Sequence, residues 1–220
     1  MATRENTRTS SMDFNKAYST VFMLAVFTIL YNITEGLVAT YFGFEQESLT
    51  LFGFGVDSFV EVISGIGIAS MIWRIWNNGG THRNEFEKTA LKITGGGFYI
   101  IVVYLLFQST FNIYTQKTPE NTLWGIAIAI VSILIMWILI RWKTTLGNRL
   151  NSEAILADAS CAKVCLYMSF ILLASAVIYE FTGFQYSDSI GAYGIAYLSF
   201  KEGKECFEKS KSDMHCSCDH

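Results

Sequence analysis

Three stretches of this chain carry no charged residue: residues 93–116 for 24 positions, 121–140 for 20, and 17–34 for 18. A bilayer core about 30 Å thick takes about 20 apolar residues as a helix. Lipid offers the backbone no hydrogen-bond partner, so such runs must satisfy themselves as helices. Three further apolar stretches, residues 49–73, 155–179 and 186–200, hold a few acids. The last is short and rich in Gly, Ala and Tyr. Together they predict an all-α membrane protein with six transmembrane helices over residues 19–200. Residues 1–18 and 201–220 read as short tails. The first span shows no small-residue cleavage pattern and is expected to remain as an anchor.

The basic residues orient the spans. Of 16 Lys and Arg, 14 fall on one side of a six-helix layout. Arg4, Arg8 and Lys16 precede the first span; Arg74, Arg83, Lys88 and Lys92 lie between the second and third. Arg141, Lys143 and Arg149 are assigned to the connection between the fourth and fifth, and Lys201, Lys204, Lys209 and Lys211 follow the sixth. Lys117 falls on the other side and Lys163 inside a span. The opposite loops carry Glu45, Glu47, Glu120 and Glu180. The positive-inside rule then places both termini in the cytoplasm. Trp73, Trp76, Trp124 and Trp142 near the span ends fit interfacial belts. Gly65, Gly67 and Gly95 to Gly97 read as close helix packing. A formal net charge of −3 leaves no basic face for a nucleic acid.

Ionisable groups at membrane depth cost about 2.5–3.5 kcal/mol each on insertion scales, so they mark function by default. Glu35, Asp57, Glu61, Asp158 and Asp188 fall there. Asp57 and Glu61 are four apart and share a helix face. Two carboxylates on one turn repel unless a proton or a cation joins them. Cys161 and Cys165 repeat that spacing on the fifth span, with Asp158 a turn earlier. Facing each other, the two pairs would offer four ligands, the number a tetrahedral divalent ion takes. Core packing is the plainer reading of the thiols, and an ion pair with Lys163 the plainer reading of one acid. In the C-terminal tail, His215, Cys216, Cys218 and His220 form a second cluster of N and S donors, or else a polar tail with incidental thiols. No histidine lies at membrane depth and no phosphate-binding loop occurs, which argues against an enzyme.

These residues resemble the cation diffusion facilitator family. The resemblance rests on Asn32, Glu35 and Gly36 in the first span, and on the Asp57/Glu61 pair in the second. It continues with Ala157, Asp158 and Ala159 opening the fifth, and Asp188 early in the sixth. Its order and spacing cover residues 19–209. It implies a six-helix transporter that works as a homodimer and exchanges a divalent metal for protons across the bilayer. The implied metal site is Asp57, Glu61, Cys161 and Cys165, with Glu35, Asp158 and Asp188 as supporting or pathway acids. Where the family usually has a His and an Asp on the fifth span, this chain has the two cysteines; where the acidic pair usually ends in Asp, it has Glu61. Thiolates favour softer ions such as Zn²⁺ or Cd²⁺ over Mg²⁺ or Mn²⁺. Family members also commonly carry a soluble metal-binding domain after the sixth span. The expected activity is efflux of such an ion from the cytoplasm. The other reading is a membrane protein that binds or senses metal without moving it.

Overall fold

A computed structural model describes residues 2–78 and 85–211. Every regular element among them is a helix: α1 (Ala2–Glu45), α2 (Leu49–Asn78), α3 (Glu85–Thr115), α4 (Leu123–Leu150), α5 (Glu153–Thr182) and α6 (Ser187–Lys211). Helices α2 to α5 run 28 to 31 residues, about 42–47 Å at 1.5 Å per residue. That exceeds the bilayer core, so their ends reach past it. Five helices, α1 to α5, are long and apolar enough to cross a membrane. Large apolar side chains such as Ile100, Val103, Phe107 and Leu134 point outward, as a lipid-facing surface requires.

Helix α6 is the exception, and its packing explains why. Its buried face is Asp188, Ala192, Ile195, Ser199, Glu202 and Cys206, at steps of three and four. These small and polar residues turn inward against α3, α5 and α2, while Ile190, Tyr197 and Phe200 turn out. A helix whose polar groups are met by its neighbours needs little apolar character of its own.

Short connections make α1 and α2, α4 and α5, and α5 and α6 antiparallel neighbours. The α4–α5 turn is only Asn151 and Ser152. Asn151 adopts a left-handed conformation at φ 47°, and Ser152 N–H donates to Gly147 O at 3.0 Å. This closes α4 in the manner that Gly or Asn favours. At the opposite end, Asp188 closes α2 from outside. Its carboxylate accepts from Ser48 Oγ at 2.7 Å, Leu49 N–H at 2.7 Å and Thr50 N–H at 3.2 Å. These are the donors a helix N-terminus leaves unmet, and a negative charge suits that end of the dipole.

The first two helices meet backbone to backbone. A Cβ on Gly43 would lie 2.4 Å from Phe52 N, and one on Gly55 would lie 2.5 Å from Thr40 N. Gly65, Gly67, Gly95 and Gly97 also face close neighbours, whereas a Cβ on Gly96 would meet open space. The main buried cluster includes Phe54, Leu105, Met168, Leu172 and Ile195, from α2, α3, α5 and α6.

One assignment from the sequence is corrected here. Lys143 is not a loop residue: α4 continues to Leu150, and Lys143 is 1% exposed within it. Its ammonium lies 2.9 Å from Asp158 Oδ2 on α5. Lys163, the base expected to compete for an acid, is exposed. The apolar run ends at Ile140, so charge alone suggested a loop; the short α4–α5 turn instead carries the base into the bundle.

Candidate metal centre

Three elements build the centre. Helix α2 supplies Asp57 and Glu61 one turn apart, α5 supplies Cys165, and α6 supports them. Ligand atoms of Asp57, Glu61 and Cys165 all lie within 4.8 Å of one another. Asp57 is 1% exposed and Cys165 2%. In a tetrahedral site with bonds of about 2.0–2.3 Å, ligand atoms sit about 3.3–3.8 Å apart. Small side-chain rotations therefore suffice to close these three around an ion.

Hydrogen bonds tie these groups to one another and to the neighbouring helices. The Cys165 thiol donates to Glu61 Oε1. Glu61 Oε2 accepts from Asn32 Nδ2 on α1 at 2.9 Å. Asp57 Oδ1 accepts from Ser199 Oγ on α6 at 3.2 Å. Protons and hydroxyl donors thus hold the atoms that a cation would use.

The other expected residues are placed as follows. Cys161 lies a turn before Cys165, outside the three-residue group, and its Sγ accepts from Lys209 Nζ at 3.8 Å. Glu35 is buried and accepts from Tyr31 Oη at 2.5 Å and Ser58 Oγ at 3.1 Å. Asp158 is held by Lys143. Asp188 sits at the α2 N-terminus, about three helical turns before Glu61. His215, Cys216, Cys218 and His220 lie outside the described residues.

A cavity of about 90 Å³ adjoins the centre. Glu61 and Asn32 border it, as do Cys161, Glu202, Cys206 and Lys209. All six helices contribute to its walls, and the bases Lys143 and Lys209 are among the lining residues. Sequence reasoning missed Asn32 as a neighbour of Glu61, and Lys143, Ser199, Glu202 and Cys206 as interior groups. A signal existed for the last three: Ser199, Glu202 and Cys206 continue the helical spacing of Asp188, Ala192 and Ile195 past the end of the apolar stretch.

The family model described as the cation efflux transmembrane domain matches residues 21–214. The chain belongs to the cation efflux family. This is the family, the cation diffusion facilitators, whose motif order the sequence resembles. Among its relatives is Transmembrane protein 163 of Xenopus laevis, 27% identical over 60% of this chain and 46% of that one. The manganese efflux system protein MneP of Bacillus subtilis is 26% identical over 85% of this chain and 66% of that one. An uncharacterized transporter of Methanocaldococcus jannaschii is 23% identical over 80% and 63%. The chain thus spans about half to two-thirds of the length of these cation efflux relatives.

Proposed function

We propose that the chain is a secondary transporter that carries a divalent metal cation out of the cytoplasm in exchange for protons. The observation that carries this reading is the convergence of Asp57, Glu61 and Cys165 within 4.8 Å beside an internal cavity. Two carboxylates and one thiol on packed helices form a donor set with little structural purpose of its own, because each polar group at membrane depth costs stability unless it is met. Membership of the cation efflux family supports the same conclusion.

The mechanism follows from the hydrogen bonds. The ion arrives through the cavity, which reaches the basic and therefore cytoplasmic end of the bundle. Cys161, at the cavity wall, is a station on the way. Binding requires the Cys165 thiolate and ionised carboxylates, so the cation displaces the proton shared by Cys165 and Glu61. Reprotonation from the far side releases the ion, and the helices rock between the two openings. Zn²⁺ and Cd²⁺ are the cations that a thiolate beside carboxylates favours; Mn²⁺, named in the description of MneP, is the ion to compare. The reading extends to a homodimer, as the family resemblance implies.

Flux in proteoliposomes tests it. Asp57→Asn and Cys165→Ser are each expected to lower Zn²⁺ and Cd²⁺ flux at least about tenfold, as loss of a metal ligand does. Cys161→Ser is expected to slow flux less. Undiminished transport by Asp57→Asn and Cys165→Ser would remove the proposed site. Metal binding without flux in the parent would instead identify a sensor.

A further inference from the structure

We infer that Asn32 supplies the fourth donor of this centre through its amide oxygen, and thereby widens the site from soft ions toward oxygen-preferring ones such as Mn²⁺. The inference rests on the metal-site reading above and adds a residue and a selectivity to it.

The side chain of Asn32 is 2% exposed. Its Nδ2 donates to Glu61 Oε2 at 2.9 Å, while its Oδ1 has no hydrogen-bond partner. A buried amide oxygen left unpaired costs about 1–3 kcal/mol, so it calls for an explanation. While the amide bonds Glu61, its orientation is set chemically, because a carboxylate oxygen accepts and only the NH₂ group donates. Asn32 and Glu61 also border the same cavity, so the unmet oxygen belongs to a side chain on the ion's path.

Three of the neighbouring donors are committed. Glu35 receives Tyr31 and Ser58 on its two oxygens. Cys161 Sγ is beside the Lys209 ammonium. Asp158 is paired with Lys143. Among the described residues, Asn32 Oδ1 is the buried oxygen without a hydrogen-bond partner on a side chain that itself bonds Glu61. A half-turn of its amide exchanges Oδ1 for Nδ2. The oxygen would then stand where Nδ2 is now, 2.9 Å from Glu61 Oε2. Two atoms at that separation clash as bare acceptors, but a shared cation joins them, since ligand atoms around one ion sit about 3.3 Å apart. Ion binding and the amide turn are therefore coupled. The completed set is three oxygens and one sulfur, against two of each if Cys161 closed it. Each thiolate replaced by an oxygen donor moves preference from Cd²⁺ toward Mn²⁺.

The test is a titration of the full chain in lipid nanodiscs with Mn²⁺ and with Cd²⁺, against a competing fluorescent chelator. Asn32→Asp keeps an oxygen donor and loses the N–H. It is expected to bind Mn²⁺ at least as tightly as the parent. Asn32→Cys is expected to raise the Cd²⁺-to-Mn²⁺ affinity ratio about tenfold or more, and Asn32→Ala to weaken Mn²⁺ about tenfold with a smaller loss for Cd²⁺. If Asn32 only steadies Glu61 through Nδ2, Asn32→Asp weakens both ions together and Asn32→Cys leaves the ratio unchanged, which overturns the inference. Asp57→Ala reports separately on the underlying site. Binding that survives Asp57→Ala defeats the site itself. Binding lost there, with an Asn32→Cys ratio that does not move, defeats only the role of Asn32.

Discussion

At the scale of single residues, the buried charges divide into those that hold the bundle together and those that the proposed function leaves for an ion. Lys143 and Asp158 are of the first kind: both are nearly fully buried, and they bridge α4 and α5 at 2.9 Å. Removing one partner strands the other charge, which typically costs about 3–5 kcal/mol, whereas removing both is often close to neutral. Lys143→Met is therefore expected to lower the thermal midpoint strongly, and Lys143→Met with Asp158→Leu to recover much of it. A double variant as unstable as the single one would show that the pair does more than neutralise itself. Asp188 also belongs to the first kind. Asp188→Ala leaves Ser48, Leu49 and Thr50 without their acceptor, so a loss of about 1–3 kcal/mol is expected. Mn²⁺ and Cd²⁺ affinities measured on that variant should remain at the parent values. In the proposed function Asp57, Glu61 and Cys165 are of the second kind, because the groups that hold them are a thiol, an amide and a hydroxyl that a cation would displace.

At the scale of elements, glycines let the backbones of α1 and α2 touch. The centre depends on it, since Asn32 comes from α1 and Glu61 from α2. Gly55→Ala places a Cβ 2.5 Å from Thr40 N, so the helices must separate. Overpacking of this kind costs about 1–3 kcal/mol. Gly96→Ala meets nothing within 4 Å and should be neutral or slightly stabilising. Thermal unfolding of the two variants side by side checks the contrast; equal effects would mean that helix propensity, not packing, governs these glycines. Helix α6 carries the lesson about legibility. Its apolar stretch was short because its inward face is Asp188, Ser199 and Glu202 among small residues. The periodicity of that face was readable in the sequence. Which neighbours met it was not, because those partners lie on α2, α3 and α5.

At the scale of the whole molecule, six antiparallel helices leave the start of α1 and the end of α6 on one side of the bundle. The proposed direction of transport takes that side, by its basic residues, to be the cytoplasm. Alkaline phosphatase fused after His220 should then be inactive in cells, and a fluorescent protein in the same place should glow; the reverse pattern would invert the proposed direction of transport. Proton exchange has its own measurement. Adding Cd²⁺ to the purified protein in weak buffer should acidify the solution, and Cys165→Ser should release fewer protons per ion, since the thiol is one of the groups that must ionise.

The helix count, the all-α class and the acidic and thiol positions on α2 and α5 were determined by the sequence itself. Long charge-free runs have one stable form in lipid, and residues four apart on a helix share a face wherever the helix goes. Only the tertiary structure decided which of those residues meet. It drew Cys165 to Asp57 and Glu61 and turned Cys161 toward Lys209. It buried Lys143 against Asp158 and brought Asn32 from α1 to the edge of the centre. The reason is geometric: spacing along one helix fixes a direction, but distances between helices depend on how closely the backbones pack, and here glycines on α1 and α2 set that distance.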